Sequence, residues 1–245
     1  MPHLFLPSAQ FSADSAQILG EDHQHIAKVL RMRLGESLVL LDNQGNAFCA
    51  TLTEMGRHSS TAQIDSPLSL ATEPPLRLIV AQAPGKGDRF EQVIQHGTEV
   101  GATAFQPLIT ERGVVALSAE REATKRERWQ HIAKGAAEQS NRLFIPQVFP
   151  AIPFREWAEA QEPNTTLLLH TAPNLPSLAQ FLERLPSLPP SLTLAVGAEG
   201  GWSPTEVSQA EKVNLALVSL GRRILRTETA ALVALSQILY HVERR

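Results

Sequence analysis

Cysteine is nearly absent. Cys49 stands alone in 245 residues, so an internal disulfide and a zinc site of several thiolates are both excluded. No apolar run approaches the roughly 18 residues needed to cross a bilayer. The opening Met1-Pro-His-Leu-Phe-Leu-Pro7 lacks a basic stretch before a long apolar one, so no secretory signal is expected, and the reducing cytoplasm is the expected compartment. Neither sign of charge dominates: 22 basic and 25 acidic residues leave −3, which excludes coating nucleic acid by bulk charge but not a local basic surface. Internal repeats and low-complexity tracts are missing as well. What is present, 43% hydrophobic and 19% charged residues, suffices for a packed core and argues against disorder. Cys49 lies in a strand-like stretch without a cationic cluster and reads as a buried structural thiol. His23-x-His25 lacks a further ligand motif, and no metal is expected.

Residues 1–66 read as a small β module. Strands are expected at Leu38–Asp42, Phe48–Leu52 and Thr61–Ile64, with a turn at Asp42-Asn-Gln-Gly45. Ile26, Val29 and Leu30 have helical spacing, and Gly35 closes that segment. Residues 67–75 carry three prolines and read as a linker. Residues 1–72 hold 4 basic and 7 acidic side chains, leaving 18 of each for 73–245. Beyond the linker, strands (Leu76–Ala81, Thr103–Ile109, Thr165–His170, Leu192–Val196, Leu215–Leu220) alternate with helices (Asp88–Gly101, Lys125–Asn141, Ser203–Lys212, Thr227–Val242). That alternation predicts an α/β domain with a mostly parallel, buried sheet.

Two loops carry the chemistry. In the first, the strand at Leu192 runs into Gly197-Ala-Glu-Gly-Gly201-Trp-Ser203-Pro204-Thr-Glu206. Ser203, Pro204 and Glu206 form a complete helix start, with cap, first-position proline and capping box. Gly200 and Gly201 permit close approach of a ligand, and ligands of open parallel sheets sit beyond the carboxyl ends of strands. Neither G-x-G-x-x-G nor a P-loop is present, and Glu199 would repel phosphate. A nucleoside with positive charge, such as S-adenosylmethionine (SAM), suits the loop; a plain connecting turn is the alternative. In the second, Gly221-Arg-Arg-Ile-Leu-Arg226-Thr227 sets three arginines before a helix start, where anions are favoured. Arg222, Arg223 and Arg226 can grip RNA phosphate, or form a solvated cluster. Thr227 is the expected cap.

Together the motifs resemble the RsmE family of 16S ribosomal RNA uracil-N3 methyltransferases, within the SPOUT superfamily. They are His25-Ile-Ala-Lys-Val-Leu-Arg31, Lys86-Gly-Asp-Arg-Phe-Glu91, Glu99-Val-Gly101, Glu111-Arg-Gly-Val-Val115, Ala136-Ala-Glu-Gln-Ser-Asn-Arg142, Gly197-Ala-Glu-Gly-Gly201 and Leu220-Gly-Arg-Arg-Ile-Leu-Arg-Thr-Glu-Thr-Ala230. The resemblance spans essentially the whole chain. It implies a PUA-like RNA-docking β-barrel at 1–72 and a SPOUT domain at 73–245 with a deep trefoil knot. It also implies a homodimer that binds SAM and methylates N3 of a uridine near the 3′ end of 16S rRNA, within the small ribosomal subunit, without metal or membrane. Two departures stand out: Ala198 replaces the family's loop proline, and His3-Leu-Phe-Leu6 replaces an arginine-containing start.

By this resemblance SAM is held by Leu169, His170, Val196, Gly197, Glu199, Gly200, Gly201, Leu220, Gly221, Ile224, Leu225, Arg226 and Thr229. Positions 138 and 142, four residues apart, share one helix face: there Glu138 takes or orients the N3 proton and Arg142 binds phosphate or uracil, or the two form an ordinary surface Glu–Arg pair. Arg226 lines the SAM pocket and sets uracil or phosphate against the methyl. The remaining RNA contacts fall to Arg31, Arg33, Lys86, Arg89, Gln139, Arg222 and Arg223. Trp202 either walls the cofactor site or packs under the helix. Another SPOUT reaction, such as ribose 2′-O-methylation, and a non-catalytic RNA-binding assembly factor are the competing readings.

Overall fold

The structure is a computed structural model that describes residues 1–113 and 119–244. Val114 and Val115 of the Glu111–Val115 motif lie outside the described residues. The chain divides into two compact units, residues 1–73 with 137–145, and residues 74–136 with 146–245. Residues 137–145, expected in the second domain, belong to the first unit. Nothing in local periodicity reports which unit a helix end packs against.

The first unit holds β1 (His3–Phe5), β2 (Ser15–Leu19), α1 (Gly20–Gln24), β3 (Ser37–Leu41), β4 (Ala47–Met55) and β5 (Ser59–Leu68). The sheet order is β1-β3-β4-β5-β2, antiparallel except for β1 with β3. Two register shifts in the β4–β5 ladder, at Cys49/Ala50 and Leu52/Glu54, curl the sheet. Ile18, Ile26, Leu38, Leu40 and Leu52 fill its inside. Asp42 Oδ1 accepts from the backbone N–H of Gln44 and Asn46 and makes the turn that the sequence signals.

Three expectations for this unit need correction. The segment after α1 winds as a wide turn over His25–Val29, so Ile26 is buried while Val29 and Leu30 are exposed. β5 runs through Leu68, so the linker begins later than residue 67. Cys49 is half-buried because β4 shows that side of its pleat to solvent. His23 is a buried structural group, its Nδ1 2.9 Å from Ser60 Oγ.

The second unit holds β6 (Arg77–Gln82), α2 (Arg89–Val100), β7 (Ala104–Ile109), α3 (Ala119–Gln139, the last turn excepted), β8 (Gln147–Val148), β9 (Ile152–Pro153), α4 (Phe154–Glu159), β10 (Thr166–Leu169), α5 (Leu178–Arg184), β11 (Ser191–Val196), α6 (Pro204–Lys212), β12 (Ala216–Val218) and α7 (Thr227–Glu243). Its sheet runs β12-β10-β11-β6-β7-β8, with β9 also on β7, and every pairing is parallel. Helices cover both faces, which is why β10 is buried at every position. Phe154, Trp157, Trp202 and Ala210 pack with Ala81, Ala195 and Leu168 on one face. Phe90 of α2 meets Trp129 of α3 edge-on at 4.8 Å.

Candidate active site

The neighbouring strands β12, β10 and β11 end side by side, and the loops that leave them enclose a cavity of about 570 Å³. Its walls are residues 169–171, 196–202, 219–221 and 223–227, with Arg89 and Ala230. That volume lies within the roughly 300–1,000 Å³ of small-molecule sites. The position agrees with the rule that ligands of parallel sheets sit at the carboxyl ends of strands.

Each loop is held by identifiable contacts. Gly201 N–H donates to the Ala198 carbonyl at 2.8 Å and closes a tight turn, with Gly201 at φ +69°. Gly197 is needed for space: a Cβ there would lie 3.1 Å from Trp202 Cδ2 and 3.2 Å from the Gly201 carbonyl carbon. The capping box is formed as read, Ser203 Oγ accepting from Glu206 N–H at 3.0 Å and Glu206 Oε2 from Ser203 N–H at 2.8 Å. Trp202 both lines the cavity and packs beneath the sheet. Its ring lies 4.9 Å from that of Phe154, and its Nε1 donates to the Leu169 carbonyl at 3.0 Å. Trp202 thereby ties the first loop to the end of β10.

Two contacts at this site were not legible in the sequence. Arg112 Nη1 donates to the carbonyls of Gly200 at 2.8 Å and Trp202 at 3.0 Å. Glu206 Oε1 accepts from Glu111 N–H at 2.9 Å. The segment after β7 thus clasps the glycine loop across about ninety residues of chain, and no spacing rule links positions so far apart.

Of the residues expected to hold a cofactor, only Thr229 does not line the cavity. On α7, positions 227 and 230 share the cavity side, and 229 turns away from it. Ile224 reaches only the rim, with 87% of its surface exposed. Thr227 is not the cap of α7. Arg226 occupies that place with extended backbone, and the Thr227 hydroxyl donates to Glu228 Oε2 at 3.2 Å. Glu199 is not a free carboxylate: its Oε1 lies 2.5 Å from Arg89 Nη1 and accepts from Lys86 N–H at 3.3 Å. Arg89 is therefore a cavity residue engaged by Glu199 instead of an open phosphate contact. Lys86, Arg222, Arg223 and Arg226 are exposed. Burial holds the His170 imidazole below its ordinary pKa, offset in part by Glu211.

Glu138 and Arg142 are placed differently from expectation. Neither lines the cavity. Glu138 Oε1 accepts from Phe5 N–H at 3.0 Å and so holds β1. Arg142, 3% exposed, forms a two-pronged pair with Glu73, Nη2 to Oε2 at 2.5 Å and Nε to Oε1 at 3.3 Å, while Leu143 N–H also donates to Glu73 Oε1. Their i, i+4 spacing marked a shared helix face, but the helix ends at Gln139, so Arg142 turns into the interior of the first unit. Gln139, Arg31 and Arg33 are exposed on that unit, Arg31 at φ 53°.

Comparison with known proteins divides the chain near residue 70, with residues 137–145 inside the longer match. Residues 72–239 match the model of an RNA methyltransferase domain, and residues 18–65 that of an RNA methyltransferase PUA domain. The ribosomal RNA small subunit methyltransferase E of Synechocystis is 41% identical over 216 residues, which cover 87% of this chain and 69% of that protein. The Bacillus subtilis protein of the same name is 34% identical, covering 94% and 92%. The crystal structure of the Neisseria gonorrhoeae methyltransferase E bound to S-adenosyl methionine superposes with a TM-score of 0.87 at 34% identity, covering 97% of this chain and 96% of that one. A Legionella pneumophila methyltransferase in complex with SAM superposes at 0.88 with 33% identity, covering 96% of each chain. With both domain models matched in order and relatives 33–41% identical over 87% or more of this chain, it belongs to the ribosomal RNA small subunit methyltransferase E family.

Proposed function

We propose that this chain transfers a methyl group from SAM to N3 of a uridine in 16S rRNA of the small ribosomal subunit. The observation that carries this is the three-loop cavity at the ends of β10, β11 and β12, in a fold shared with two SAM-bound relatives.

The cavity fits the cofactor's chemistry. Leu169, Val196, Leu220 and Leu225 offer apolar walls for adenosine, and the glycines at 197, 200 and 201 leave backbone close to the ligand. SAM, when bound, supplies a methyl already activated by its sulfonium. The chain's task is then to position the acceptor and to stabilise the charge left when N3 gives up its proton. Arg226 and the opening turn of α7 face that space, and both favour an anion. In this reading Arg226 pairs with the oxygen beside N3 and makes the N3 proton easier to lose to solvent water, while Arg222 and Arg223 hold flanking phosphates. Glu138 and Arg142 are assigned to holding the first unit, through Phe5 and Glu73.

The reading includes a trefoil knot and a homodimer. Supporting the knot, Ser219, just after β12, exchanges backbone hydrogen bonds with Pro176 and Leu178, on the connection that leaves β10. No helix among the described residues is long and apolar enough to cross a membrane, and the proposed place of action is the cytoplasm. Calorimetry with SAM, followed by transfer of labelled methyl to purified small subunits, tests the reading. Binding at one site per chain and labelled 16S rRNA are expected, and label confined to ribose 2′-oxygens would replace N3 with the ribose reaction.

A further inference from the structure

Ile224 is the most exposed large apolar side chain among the described residues, at 87%. It sits at the rim of the cavity, in the loop between β12 and α7. Arg222 and Arg223 precede it and Arg226 follows, all exposed, and no carboxylate is paired with any of them among the described residues. An isolated surface isoleucine needs no explanation. One framed by three unpaired guanidinium groups beside a catalytic cavity has a specific complement, a polyanion with apolar planes inside it. RNA has that construction, with phosphates outside and stacked bases within. A second copy of the same loop does not, because meeting itself across a two-fold axis would set arginine against arginine.

We propose that Ile224 is an unstacking wedge. It enters the base stack next to the target uridine, takes the space that the uridine leaves, and so holds the uridine turned into the cavity while the arginines grip phosphates on either side. The proposal rests on the rRNA methylation reading above and extends it to how the base becomes accessible. Aliphatic side chains inserted between base steps are an established means of opening a stack, and a base inside a stack cannot present its edge to an enzyme. Ile224 fits the task geometrically. It projects from a loop whose two ends are fixed by β12 and α7, and it stands at the rim of the cavity with most of its surface open.

The wedge matters only where there is a stack to open. The full chain is therefore assayed on folded small subunits and on a short unstructured RNA bearing the same uridine. Ile224→Ala is expected to lower the ratio of kcat/KM on folded to unstructured RNA on the order of tenfold, the effect of withdrawing one buried aliphatic side chain. Ile224→Leu is expected to restore most of it. A 2-aminopurine placed next to the uridine should brighten on mixing with wild-type protein and stay dim with Ile224→Ala. Equal losses on both RNAs, weakened SAM binding, or a changed oligomeric state in the Ile224→Ala protein would each overturn the wedge alone. A wild-type chain that moves no methyl to 16S rRNA would overturn the methylation reading and the wedge with it.

Discussion

Arg89 and Glu199 face each other at the mouth of the cavity, Nη1 to Oε1 at 2.5 Å, and join the start of α2 to the glycine loop after β11. Both side chains are about one-third exposed, at 34% and 37%, so the pair adds little to global stability. Its consequence is electrostatic. Glu199→Gln would leave the Arg89 cation unneutralised beside a site that receives a sulfonium. SAM affinity is expected to fall roughly tenfold, more at low salt. The double variant Arg89→Gln/Glu199→Gln should recover part of the loss. Calorimetry of the three proteins checks this, and strictly additive losses would contradict it.

The glycine loop predicts a graded series. Gly197→Ala sets a Cβ 3.1 Å from Trp202 and 3.2 Å from the backbone of Gly201, and neither can yield cheaply. Overpacking of this kind costs about 1–3 kcal/mol, and SAM affinity should drop on the order of tenfold or more. Gly200→Ala meets only the flexible stem of Arg112, at 3.4 Å, and should bind SAM within about threefold of wild type. Gly201→Ala meets nothing but must hold φ +69°, at a cost of about 1–2 kcal/mol. Melting temperatures and SAM titrations of the three variants rank them; equal effects would show that the loop is not shaped as described.

Arg142 separates stability from chemistry. Removing one partner of its buried pair with Glu73 leaves an uncompensated charge and costs about 3–5 kcal/mol. Arg142→Ala should therefore lower the melting temperature sharply. At a temperature where the variant remains folded, kcat should stay near wild type. A large drop in kcat with an unchanged melting temperature would return Arg142 to the active site.

His170 gives the cavity a pH dependence. Its imidazole is held below the ordinary 6.5, chiefly by burial. The unfolded chain takes up this proton first as the pH falls. The stability contribution is therefore complete above pH 6.5 and is lost as the pH drops through the folded-state pKa. The same protonation places a cation on the wall of a site for a sulfonium, so SAM affinity should weaken over that acid range. A SAM titration series across it checks the direction, and His170→Asn should flatten the acid limb.

The order of strands and helices in the second unit was legible because the strands are buried on both faces and their helices carry clear start signals, Ser203-Pro204 most of all. α5 could have been read as well: Ser177 and Gln180 form the same capping box. β8, β9 and α4 are too short for periodicity to detect. At the site, the two glycine loops gave nearly the whole cavity wall, since β11 and β12 flank β10 in a parallel sheet and their loops leave the same end of it. The errors arose where a partner lies far away in sequence. Arg112 reaches Gly200, Glu199 is answered by Arg89, and Arg142 is claimed by Glu73. Each is a charged side chain whose partner is set by tertiary packing, which local spacing does not encode.

The central claim is that this three-loop cavity delivers the methyl of SAM to N3 of a 16S rRNA uridine. Its most direct test incubates the purified chain with methyl-labelled SAM and small subunits from cells lacking the gene, then digests the rRNA to nucleosides for mass spectrometry. The predicted result is labelled N3-methyluridine from a single position in 16S rRNA, sharply reduced at limiting SAM in the Gly197→Ala protein. Label in any other nucleoside, or none with wild-type protein that binds SAM, would contradict it.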